Sequence, residues 1–158
     1  MSHEIFMIKK ILIIGSILLN INAFAQTALP AVDSSALQGR WSPDCNAVEG
    51  VTFDKKGTAL IAVNSNQIYV DGYVKEIGNN TFDLFFLSTK DLGRGGASLD
   101  WDSFSKIRPI AKISLVHAAI ANFEWNGFFN TNKRKYQWVT DPDFYQKDNG
   151  SIFNKCRE

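Results

Sequence analysis

From Gly50 onward the apolar residues recur mostly at every second position, the period of a half-buried β-strand, and short polar clusters interrupt them at regular intervals. "GVTFD" is followed by the turn "KKG" and then by "TALIAVN" from Thr58. In "IYVDGYVKEI", Ile68, Val70 and Val74 share one face, while Tyr69, Asp71, Tyr73 and Lys75 share the other. The turn "GNN" at Gly78 to Asn80 introduces "TFDLFFL", where Phe82, Leu84 and Phe86 oppose Thr81, Asp83 and Phe85. "AKISLVHAAI" from Ala111, "NFEWNGFF" from Asn122 and "YQWVT" from Tyr136 continue the pattern. Turn signals fall about 8 to 12 residues apart, as in an antiparallel meander.

No ten-residue stretch downstream of the N-terminal segment carries a clean helical stripe; "LVHAAIANF", with its alanines, also suits a short helix. Two segments break the meander. "STKDLGRGGASLDWDS", Ser88 to Ser103, is rich in glycine and charge and longer than a hairpin turn requires. The tail from Asp141, "DPDFYQKDNGSIFNKCRE", carries a proline and a "DNG" turn that oppose a long regular element. A sheet of six to eight strands without covering helices buries its apolar face by closing into a barrel or folding into a sandwich. The expected fold is therefore all-β: a small antiparallel meander, closed, with about 6–8 strands.

The first 25 residues do not belong to that pattern. Lys9 and Lys10 precede the apolar run "ILIIGSILLNINAF", which ends in Ala23-Phe24-Ala25, the layout of a secretory signal peptide cut before Gln26. Ser16, Asn20 and Asn22 interrupt the run, which falls short of the roughly 20 apolar residues that span a bilayer. Expected boundaries are a signal over 1–25, a flexible arm over 26–36 and a single β domain over 37–158. The chain has 158 residues, 17 basic and 16 acidic; removing 25 of them, with Lys9, Lys10 and Glu4, leaves 133 residues carrying 15 of each sign. A neutral domain has no global electrostatic attraction to nucleic acid or anionic lipid. Lys133-Arg134-Lys135 reads as a solvated turn.

Cys45 and Cys156 are the two cysteines, so an exported chain has one possible disulfide. Closing a loop of about 110 residues removes roughly 4 to 5 kcal/mol of chain entropy from the unfolded state. Neither cysteine sits in a C-x-x-C or multi-ligand spacing.

In "LQGRWSPDC", Gly39 and Trp41 form a G-x-W that resembles the opening strand of calycin barrels, the lipocalin and avidin group, and "FEWNGFF" is loosely avidin-like. The resemblance implies a closed barrel, a glycine that turns the chain into the first strand and a tryptophan that plugs one end. It specifies no ligand.

Candidate chemistry is sparse. His117 is the single histidine of the domain; no G-x-S-x-G elbow accompanies it, and with Ile113 and Leu115 on its strand face it is expected to be a packed or hydrogen-bonded barrel residue. Asp100 with Asp102, or Asp141 with Asp143, offers oxygen ligands but no complete calcium loop. The two aspartates of "LDWDS" are two apart, so on a strand both point one way and Trp101 the other, an arrangement with the flavour of a sugar site. "DLGRGGAS" lacks the G-K-[ST] of a phosphate loop. No catalytic set, metal site or cofactor is expected.

Paired aromatics, Phe85-Phe86 and Phe128-Phe129, place some apolar surface outward. The composite expectation is an exported, non-catalytic protein of the periplasm, or a secreted one, without a membrane anchor. It would bind another protein, as an immunity protein or an inhibitor of a toxin or cell-wall-degrading enzyme does. Asp91, Arg94, Asp100, Trp101 and Asp102 on the long loop form the expected contact surface. The alternatives are a calycin-like small-molecule carrier, with a ligand against Trp41, Trp125 or Trp138, and an envelope hydrolase.

Overall fold

A computed structural model describes residues 34–64, 68–137, 142, 144 and 151–157. Among them, the alternating segments form β1 (Gly39–Ser42), β2 (Gly50–Phe53), β3 (Thr58–Asn64), β4 (Ile68–Gly78) and β5 (Thr81–Asp91). These are followed by β6 (Pro109–His117), β7 (Ile120–Trp125), β8 (Phe128–Asn130), β9 (Lys135–Gln137) and β10 (Ser151–Lys155). Eight strands close into an antiparallel barrel in the order β1-β10-β7-β6-β5-β4-β3-β2, and β8 with β9 make a separate two-stranded sheet. Closure excludes the sandwich and leaves the eight barrel strands without a free edge. The signal segment and residues 26–33 of the arm lie outside the described residues, as do Trp138, Asp141 and Asp143.

Turn chemistry explains the order. Asp54 folds the β2–β3 connection by accepting the Lys56 and Thr58 N–H groups on its Oδ1 at 2.8 and 2.9 Å. Asn79 and Asn80 both adopt positive φ, 48° and 58°, the requirement of a two-residue type I′ hairpin. Alternation then sorts the side chains: Ile68, Val70 and Val74 of β4, Phe82, Leu84 and Phe86 of β5, and Ala121, Phe123 and Trp125 of β7 are buried.

The segment "LVHAAI" is neither one strand nor a helix. It is the end of β6, a turn, and the start of β7. The pairing register shifts between Leu115 and His117, so the period-two extrapolation fails there. His117 is consequently exposed at the turn and is not packed, but it is hydrogen-bonded: its Nδ1 accepts the Ala119 N–H at 3.3 Å.

Trp41 is 1% exposed, and its indole N–H donates to the Leu37 carbonyl at 2.6 Å, in a 3-10 turn over Ser35–Leu37 that leads into β1. Lys155, opposite Trp41 on β10, lays its ammonium 5.5 Å from a Trp41 ring centroid and donates to the Ala36 carbonyl at 3.3 Å. First strand, last strand and entering turn are thus joined around one indole. Gly39 makes the entry at φ +108°. Gly50, which opens β2 at φ +148°, lies against β1; a Cβ there would sit 2.5 Å from the Trp41 carbonyl oxygen. Gly50→Ala should therefore cost roughly 1–3 kcal/mol, read as a lowered urea midpoint with unchanged slope.

Cys45 and Cys156 are bonded, with Cα atoms 5.4 Å apart and a sequence separation of 111. Arg40, projecting from β1, organises the intervening loop. Its guanidinium donates to the carbonyls of Cys45 at 2.8 Å, Ala47, and Glu49 at 3.4 Å.

Candidate functional site

Among the described residues, large apolar side chains pack together in the barrel interior. Trp41, Phe82, Phe86, Phe123, Phe128 and Phe153 are the largest of the fully buried ones. Phe123 stacks on Phe153 at 4.5 Å, and Phe144 meets both edge-on at 5.4 and 5.2 Å. Of the three tryptophans expected around an internal ligand, Trp41 and Trp125 belong to this packed core.

The long connection between β5 and β6 is built onto the end of that core. Asp91 Oδ1 accepts the Gly93 N–H at 3.1 Å, starting a single helical turn, α1 (Gly93–Gly96). The Gly96 carbonyl receives the Trp101 indole N–H at 2.8 Å. Trp101, half-buried, packs against Phe86, Phe104 and Phe128 with ring centroids 5.7, 5.5 and 5.3 Å away. Its benzenoid bulk anchors the loop, and its polar edge fastens the helical turn.

Trp101–Ser103 is a 3-10 turn, which corrects the strand geometry expected for "LDWDS": Asp100 and Asp102 flank an anchored indole and are not paired on one strand face. The Asp100 carbonyl accepts Ser103 N–H and Oγ–H at 3.2 and 2.7 Å. The Ser103 hydroxyl accepts from Asn130 Nδ2 at 2.8 Å, and the Ser103 carbonyl accepts the Thr131 N–H and hydroxyl, both at 2.9 Å. Ser105 N–H donates to the Phe129 carbonyl at 2.8 Å. These bonds lock the β5–β6 connection onto the β8–β9 hairpin. The structure therefore places Asp91, Arg94, Asp100 and Asp102, all exposed, on the same hydrogen-bonded connection as Trp101.

A second surface lies on the outer wall. Phe85 stacks on Tyr73 at 5.0 Å, Phe129 meets Tyr136 edge-on at 5.2 Å, and the Arg108 guanidinium lies 5.2 Å over Phe129. The hydroxyls of Tyr73 and Tyr136 donate to the Lys106 and Pro109 carbonyls at 3.1 and 3.2 Å. Burial raises the pKa of both phenols; for Tyr136, Arg108 opposes the rise and Asp83 adds to it. The Phe-Phe pairs mark the outward rings, but nothing in their local pattern points to Arg108 or to the covering hairpin. Nearby Ile107 is 83% exposed.

Asp54 is committed to its turn, and Asp71 Oδ2 accepts the Ser88 hydroxyl at 3.3 Å, although both line an outer groove of about 240 Å³. Among the described residues no group of three or more His, Cys, Asp or Glu side chains is placed to hold a metal ion. Lys133 and Arg134 lie exposed in the β8–β9 turn, and Lys135 begins β9.

Comparison with protein-family models, curated proteins and solved structures finds no match.

Proposed function

We propose that this is an exported, non-catalytic protein of the cell envelope that binds another protein, as an immunity protein or as an inhibitor of a delivered toxin or a cell-wall-degrading enzyme. The observation that carries this reading is the anchored β5–β6 connection. Its indole is fixed by a hydrogen bond and three ring contacts, and the same connection carries four charged side chains exposed to solvent. A loop ordered before encounter loses less conformational entropy on association, and exposed charges of both signs steer and register a complementary surface. The packed barrel interior supports an external contact over an internal ligand. Export is supported by the N-terminal pattern and is compatible with the disulfide.

The test uses protein purified from the compartment to which it is exported, with in-situ cross-linking to recover the partner and mass spectrometry to locate the mature N-terminus. Arg94→Glu and Asp102→Lys should each weaken the recovered complex about tenfold, roughly 1.4 kcal/mol, with circular dichroism and melting unchanged. Undiminished binding by both variants would refute the assigned surface. A bound small molecule with no polypeptide partner would favour the carrier.

A further inference from the structure

The disulfide has two chemically different ends. Cys45 is exposed, in the loop between β1 and β2, whereas Cys156 is half-buried and follows the last strand. Arg40 Nη1 lies 3.7 Å from Cys156 Sγ. The same guanidinium is held by the carbonyls of Cys45, Ala47 and Glu49, so its position does not depend on the sulfur. Arginine keeps its charge at every accessible pH, and a neighbouring cation lowers the pKa of a thiol.

Other groups surround the pair. Asp44 adjoins Cys45, but its Oδ1 accepts the Asn46 N–H at 2.9 Å. Glu49 closes the loop, and Arg157 follows Cys156 and is exposed. Lys155 is directed to Trp41 and the Ala36 carbonyl. The Asn154 carbonyl lies 3.7 Å from Cys156 Sγ and disfavours an anion there, as a dipole set against the full charge of Arg40.

In thiol–disulfide exchange the attacking thiolate bonds to one sulfur and the other departs with the electron pair, faster when its thiol is more acidic. We propose that the Cys45–Cys156 bond is a polarised exchange site, at which an external thiol attacks Cys45 and Cys156 leaves as a thiolate stabilised by Arg40. The attacking thiolate becomes the mixed disulfide on Cys45 Sγ, and its proton goes to solvent. A second thiol, or the second sulfur of a dithiol protein, then attacks the external sulfur of that mixed disulfide and releases Cys45 as a thiolate, so that the pair is reduced and the thiols are oxidised to their own disulfide. Run backwards, the same steps form the bond with Cys156 as the nucleophile. The partner class is accordingly a small thiol or a dithiol oxidoreductase that engages the loop carrying Cys45. This assignment is independent of the binding role proposed for the β5–β6 connection.

The experiment treats the folded, oxidised full-length mature protein with glutathione, quenches by acid and alkylation, and maps the adducts by mass spectrometry. The expected early product carries glutathione on Cys45 and the alkyl group on Cys156, in at least about tenfold excess over the reverse. An even split, or glutathione chiefly on Cys156, would overturn the proposal without any variant. Arg40→Met should slow the first step about three- to tenfold in the native protein and leave it unchanged in concentrated denaturant, and Arg40→Lys should recover part of the rate. An unchanged or faster native rate in Arg40→Met would mean that the arginine only ties the loop down, and the polarised site would fail.

Discussion

Replacing both cysteines, Cys45→Ser with Cys156→Ser, should lower the free energy of unfolding by about 4–5 kcal/mol and the melting temperature by roughly 10–20 °C. The reason is the span of the bridge, 111 residues, together with where it sits. Nine residue pairs align β4 with β5, but two align β1 with β10: Trp41 with Lys155 and Ser42 with Asn154. Just beyond them, the Cys156 N–H donates to the Arg40 carbonyl at 2.8 Å. The barrel is thus closed at a short seam, and the covalent bond lies immediately beside it. A domain of this size is usually stable by about 5–15 kcal/mol, so the variant would keep only a fraction of its margin at 37 °C. Parallel urea titrations of the oxidised protein and the serine variant measure the difference. A loss below about 1 kcal/mol would show that the strands hold the seam unaided.

Phe123→Ala should cost about 3–5 kcal/mol, the usual range for an aromatic ring removed from a core. Phe123 lies on β7, paired on one side with Ile113 of β6 and on the other with Ser151 of β10. Its ring lies near-parallel to those of Phe153 at 4.5 Å and Trp125 at 6.3 Å and makes a T-shaped contact with Phe144. Neighbours held on hydrogen-bonded strands cannot collapse fully into the space, so most of the cavity persists. Phe123→Leu, which keeps more of the volume, should cost less, and the two midpoints in urea give the comparison. Equal costs would mean that retained volume does not help and that the ring contacts themselves carry the effect.

The central wall of the barrel is legible in the sequence because one face of each strand meets solvent. β4 and β5 therefore alternate, and glycine and asparagine mark their turns. The disulfide is legible because two cysteines permit one pairing. Other features depend on contacts that local pattern does not encode. His117 follows the period of its strand on paper, but the register shift after Leu115 carries it out into solvent. Asp100 and Asp102 satisfy strand alternation equally well; the fit of Trp101 against Phe86, Phe104 and Phe128 accompanies a 3-10 turn instead. The locking of this connection depends on Asn130 reaching Ser103, 27 residues away. Glycine and charge in "DLGRGGAS" break the strand pattern without specifying another element, yet the segment holds a hydrogen-bonded helical turn to which an indole is fastened.

The bridge between Cys45 and Cys156 also sets the load path of the molecule. A pull applied between residues 34 and 157 enters through the 3-10 turn and β1, crosses the sulfur–sulfur bond and leaves at once, while the barrel between the two cysteines carries no tension. Before the covalent bond is taut, the terminal segments have about a dozen residues to give, some 40 Å at full extension. Pulled from both ends, the protein would give up β1 and then meet a covalent stop, with the anchored β5–β6 connection still in place.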